Sequence, residues 1–183
     1  MDLTQLAAQP TLVGGLVRLE PLGPEHFDGL RALFGTGEED AESPLASALA
    51  YQVRTGLASA AARRDRADWA IVRHTDGRAV GEVVLFELDE DHETMTFRIA
   101  LVGPEVFDHG YGSEATRLVR DFAFEPLGLR RLRLDVVATN ERAVTVYERA
   151  GFVLEGRMRQ AQRVDGQWVD VLHLALLDSD RRP

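Results

Sequence analysis

The stretch FDHGYGSEA, Phe107–Ala115, places Gly110 and Gly112 after an apolar run and just before a Ser-Glu pair that reads as a helix start. Free N–H groups at a helix N-terminus, together with the positive end of its dipole, attract an anion such as a phosphate. The two glycines let the backbone approach that anion with no Cβ in the way. The candidate donors are the backbone groups of His109, Gly110, Tyr111, Gly112 and Ser113, and the His109 side chain also lies in the loop. A tight turn with no ligand accounts for two glycines equally well. The loop lacks the Gly-Lys-Ser/Thr ending of a nucleoside-triphosphatase loop and the third glycine of a dinucleotide fingerprint. About thirty residues on, Asn140, Ala143 and Tyr147 follow at spacings of three and four, so they share one helix face. Asn140 and Tyr147 are then roughly 10 Å apart along the axis. Asn140 reads as well as a helix cap, and Tyr147 as a core residue with its hydroxyl satisfied.

The elements that position these residues follow from periodicity. LVRLEPL (16–22) alternates like a strand, and Pro24-Glu25 opens a short helix through about Phe34. GTGEEDAES (35–43) reads as an acidic loop, and Ser43-Pro44 starts an alanine-rich helix reaching about Arg64. DWAIVRH, AVGEVVLFEL and TMTFRIALV, separated by turns, read as an antiparallel meander. Ala115, Leu118, Val119, Phe122 and Ala123 form one apolar helical stripe. RLRLDVVA is a strand, and NERAVTVYERAG a helix with Gly151 as its C-terminal cap. The end of the chain reads as a hairpin turning at Asp165-Gly166.

At 183 residues the chain fits a single domain over 1–183, with about 1–14 expected as a flexible N-terminus. A net charge of −9 disfavours nucleic acid and favours cationic partners. With no cysteine there is no disulfide, thiolate metal site or cysteine nucleophile, and the histidines show no metal-ligand spacing. No signal-peptide pattern and no membrane-length apolar run are present, so a cytoplasmic location with no membrane partner is expected.

The segment from FDHGYGSEA to YERAGFVLEG resembles the acetyl-CoA-binding half of the GNAT N-acetyltransferase superfamily. The matching positions are Gly110-x-Gly112, Asn140, Ala143, Tyr147 and Gly151-Phe152, in order and at fitting spacing. VYERAGFVLEGRMRQAQRVDGQWVDVLHLALL is similar to the closing pattern of the Rim-type, ribosomal-protein N-terminal subgroup. The resemblance implies an α/β (α+β) fold with a mixed, mostly antiparallel sheet splayed at the cofactor site and flanked by helices. It implies an acetyl-CoA-binding core over about 107–157, no metal, and compatibility with a homodimer. Phe107 stands where many members carry Gln or Arg and Rim-type relatives often an aromatic, so pyrophosphate would be held mainly by backbone N–H groups.

By the same resemblance Asn140 hydrogen-bonds a pantetheine amide, and the Tyr147 hydroxyl lies near the thioester sulfur as general acid. A backbone N–H near Leu101 or Val102 would stabilise the oxyanion. Phe97 occupies the place of a glutamate base found in many Rim-type members. Glu82, Glu93 and Asp135 are the alternative bases, directly or through water. The acceptor expected is a primary amine, either a small cationic molecule or a peptide N-terminus. Glu38, Glu39, Asp40 and Glu42 are placed to attract it. A catalytically silent acyl-CoA-binding module is the alternative.

Overall fold

The computed structural model describes residues 1–34 and 65–181. The acidic segment with Glu38, Glu39, Asp40 and Glu42, and the expected alanine-rich helix, lie outside the described residues. One eight-stranded sheet runs through the rest. Its strands are β1 (Leu12–Val13), β2 (Val17–Pro21), β3 (Ala67–Arg73), β4 (Ala79–Asp89), β5 (Thr94–Leu101), β6 (Arg131–Val137), β7 (Val153–Val164) and β8 (Gln167–Leu177). The spatial order is β1-β2-β3-β4-β5-β6-β8-β7. Every neighbouring pair is antiparallel except β5 and β6. The expected mixed, mostly antiparallel sheet is therefore present.

The α-helices among the described residues are α1 (Leu3–Ala8), α2 (Phe27–Leu30), α3 (Tyr111–Phe124) and α4 (Glu141–Arg149). The N-terminal stretch is not a flexible tail. Asp2 caps α1 through the Thr4 N–H, and Leu6 is fully buried. Burying one leucine contributes about 1.5–3 kcal/mol, enough to hold a short helix that would be marginal alone. The helix expected from Pro24 to Phe34 is a single α-turn, α2, between two 3₁₀ turns.

The apolar stripe of α3 packs on β3–β6, with Trp69 and Phe122 meeting edge to face at 5.3 Å. Leu132, Leu134 and Val136 alternate into that same core from β6. Arg120 of α3 donates to the Ala150 carbonyl (3.1 Å), joining α3 to the end of α4. The β7–β8 hairpin turns at Asp165-Gly166, both with positive φ, as a two-residue loop requires.

Candidate functional site

β5 and β6 pair only at Thr94–Thr96 with Arg131–Arg133, and diverge from Phe97 onward. α3 begins and α4 runs across the gap. The resulting cavity, about 270 Å³, is lined by Ile99 to Leu101 of β5, the loop from Val106 to Ser113 apart from His109, and one face of α4. The Val102 N–H is bonded to the Val80 carbonyl on β4 (3.0 Å). Successive strand N–H groups point opposite ways, so the Leu101 N–H is the one turned toward the gap. Val102 does not line the cavity.

The loop reaches α3 through two left-handed residues, Asp108 (φ 61°) and Gly110 (φ 81°). Gly110 caps the helix, so α3 starts at Tyr111, two residues before the expected Ser113. The difference is a matter of conformation: Gly110 turns the chain without a Cβ penalty, and helical geometry starts at the next residue. Among the described residues no group accepts from the N–H of Tyr111, Gly112 or Ser113. These three donors are all on cavity-lining residues at the N-terminal end of α3, where a helix favours an anion. His109 stacks on Tyr111, ring centroids 5.5 Å apart, and does not itself line the cavity.

On α4, Asn140, Ala143 and Tyr147 all line the cavity, with Arg142 and Val146. Asn140 caps the helix by accepting from the Ala143 N–H at 3.2 Å, which leaves its amide N–H groups available. Tyr147 is 7% exposed and its ring packs edge to face on Phe97 (6.1 Å) and Phe152 (6.0 Å). No described residue hydrogen-bonds its hydroxyl, and burial pushes its pKa up to about 12. The phenol is therefore protonated across the neutral range, with its polar end at a cavity wall. Phe97, itself buried, supplies the apolar support for that ring.

A model of the acetyltransferase (GNAT) domain matches residues 17–153. The chain belongs to the GNAT acetyltransferase family. Among its relatives, the spermidine N(1)-acetyltransferase of Escherichia coli K12 is 30% identical over 112 residues, 61% of this chain and 60% of that protein. YdaF of Bacillus subtilis, whose name assigns it provisionally to ribosomal N-acetylation, is 30% identical over 102 residues, 56% of this chain and 55% of that protein. The matched part thus spans about three fifths of the curated relatives' length. A GCN5-related N-acetyltransferase from Brucella melitensis superposes with a TM-score of 0.72 at 27% identity, over 94% of this chain and 80% of its own. The Rim-type subgroup is not singled out by these relatives.

Within the GNAT frame the candidate bases separate. Glu93 has its backbone bonded to Arg130 and Arg131 in the turn before β5, eight residues and roughly 26 Å of strand from Leu101. Asp135 pairs with His173 on the exposed face of β6 and β8. Glu82 is 7% exposed and sits directly across from Ala100, a cavity-lining residue, although Glu82 does not itself line the cavity. Desolvation raises its pKa against the opposing charge of Arg98, which donates to it at 2.8 Å. Arg117 is an exposed charge on α3. Arg142 escaped the sequence reading because nothing local distinguishes it from a solvated helix arginine.

Proposed function

We propose that the protein transfers the acetyl group of acetyl-CoA to a primary amine by direct attack. The observation that carries this reading is the gap between β5 and β6, where three free N–H groups of α3, the Leu101 N–H and the Tyr147 hydroxyl converge on one cavity. The residues fit the donor. Tyr111, Gly112 and Ser113 would hold pyrophosphate, Asn140 a pantetheine amide, and the Leu101 N–H the oxyanion of the tetrahedral intermediate. Gly112 lines the cavity with no Cβ of its own, so the backbone there is open to a ligand.

The amine must be neutral to attack, and a lysine-like amine has a pKa of about 10.4. Glu82, acting through water, is the base we assign; its raised pKa improves it as a proton acceptor. Tyr147 serves the leaving sulfur. Full proton transfer from a phenol with pKa about 12 to a thiolate whose thiol has pKa about 8.5 is uphill by roughly 5 kcal/mol. Tyr147 therefore donates a hydrogen bond as the C–S bond breaks, and its proton passes to the sulfur only as the ammonium of the tetrahedral intermediate gives one up, leaving the amide and the thiol.

For the acceptor, the charge of −9 and the spermidine-acetylating relatives support a small cationic amine ahead of a peptide N-terminus. A homodimer is supported by β7, a sheet-edge strand with Val153, Leu154 and Met158 exposed. The deciding experiment is a thiol-release assay with acetyl-CoA against polyamines, other amines and basic peptides, free of background from the cysteine-less enzyme. Turnover with at least one amine supports the reading. Binding of acetyl-CoA with no turnover across the panel favours the silent acyl-CoA-binding alternative.

A further inference from the structure

Two cavity-lining residues that the acetyl-transfer chemistry leaves unused, Phe107 and Arg142, are in contact. The Arg142 guanidinium carbon lies 3.3 Å from the centroid of the Phe107 ring. At that distance the planar group lies flat on the ring, because any large tilt would drive a nitrogen into the ring carbons. A guanidinium stacked in this way has its N–H donors directed outward in its own plane, where they match the oxygens of a phosphate. The ring face also fixes the side chain, so less rotamer freedom is lost on binding.

Arg142 is uncommitted in other respects. Among the described residues it has no carboxylate within 4.0 Å and no hydrogen-bond acceptor, whereas Arg66, Arg73, Arg98 and Arg131 are each paired. Among the described residues that line the cavity it is the one cation, and Asp108 is the one carboxylate. The same cavity is lined by Tyr111, Gly112 and Ser113, whose N–H groups are free. The Phe107 ring has no charge or donor of its own and can only support a cation from elsewhere.

We infer that Arg142, held on the face of Phe107, is the side-chain ligand of the donor's pyrophosphate, restoring from α4 the charge that position 107 lacks. The inference rests on the acetyl-CoA reading and adds a specific determinant to it. The Phe107–Arg142 stack would then be a unit: the ring positions, and the guanidinium binds.

The test compares acetyl-CoA, its 3′-dephospho analogue and S-acetylpantetheine, which lacks every phosphate, by titration against wild type, Arg142→Met, Arg142→Lys and Phe107→Leu. Arg142→Met should weaken acetyl-CoA about 10- to 100-fold, the range expected for losing charge-assisted hydrogen bonds. The same loss should appear with 3′-dephospho-acetyl-CoA, and S-acetylpantetheine should bind all four proteins alike. Arg142→Lys should recover only part of the affinity, Phe107→Leu should lose several-fold, and Arg142→Met should show a shallower salt dependence. Equal acetyl-CoA affinity in wild type and Arg142→Met would overturn the inference while leaving the acetyl-CoA reading intact. So would a matching loss for S-acetylpantetheine, which would mark Arg142 as a shaper of the cavity. A penalty that vanishes with the 3′-dephospho analogue would refute the pyrophosphate assignment. No binding of acetyl-CoA by wild type would remove the underlying reading itself.

Discussion

Glu114 of α3 grips the backbone of Leu16 at 2.7 Å, and its carboxylate also accepts from Gly15 (3.0 Å) and Val17 (2.8 Å). Leu16 in turn lies against the loop before α3, where a Cβ on Gly110 would come within 3.0 Å of its Cδ1. The turn between β1 and β2 is thereby tied to the first turn of α3. The N-terminal edge of the sheet and the glycine loop are mechanically one piece.

Replacing Glu114 by Gln should cost about 1–3 kcal/mol at neutral pH, since charge-assisted acceptors become a neutral one. Partial burial pushes the Glu114 pKa up, and the three backbone donors more than reverse it, leaving it below the ordinary 4.5. Its stabilisation is thus full above about pH 4.5 and is lost as the pH falls through the depressed folded value. Urea denaturation at pH 7 and pH 3.5 should show a smaller acid-induced loss in Glu114→Gln than in wild type. Equal losses would remove Glu114 from the acid response.

Tyr147→Phe should lower kcat about 10²-fold with little change in the affinity for acetyl-CoA, because only a transition-state hydrogen bond is removed. With its pKa at about 12, Tyr147 should add no descending limb to the kcat profile below pH 11. A limb near pH 10 that disappears in Tyr147→Phe would contradict the burial of this hydroxyl.

Glu82→Gln separates catalysis from packing. The fold raises the Glu82 pKa, so its proton is held more tightly in the native state. That favourable contribution is complete below pH 4.5 and is lost as the pH rises through the folded value. The substitution should consequently leave stability at pH 8 within about 1 kcal/mol of wild type or raise it, because the buried charge is gone. Turnover should fall about 10²-fold if Glu82 is the base. Unchanged kcat would make Glu82 only the partner of Arg98.

The two loop glycines should respond differently. Gly110→Ala forces a left-handed alanine against Leu16 and should cost roughly 1–2 kcal/mol of stability. Gly112→Ala meets only ordinary contacts, with Leu101 Cδ1 at 3.5 Å, and should melt near wild type while binding acetyl-CoA more weakly. Melting scans with and without acetyl-CoA distinguish the two. A large loss of unliganded stability in Gly112→Ala would show that the glycine serves the fold alone.

The sequence by itself determined whatever closes within a few residues. The Asp165-Gly166 turn, the Asn140 cap, the left-handed Gly151 and the α3 stripe each depend on neighbours one to eight positions away. Their hydrogen bonds and periodicities are therefore written locally. The resemblance then carried the set Gly110, Gly112, Asn140, Ala143 and Tyr147, which the structure gathers on one cavity. Tertiary structure alone decided the rest. Where β5 parts from β6 depends on pairing between strands that are locally indistinguishable from fully paired ones. Leu6 looked like part of a loose tail because what holds α1 is a core built from later strands. The grip of Glu114 on Leu16 spans 98 positions, and the seat of Arg142 on Phe107 joins the loop to a different helix. Long-range contacts such as these are selected by packing and charge in the assembled core, and no window of sequence carries their energy.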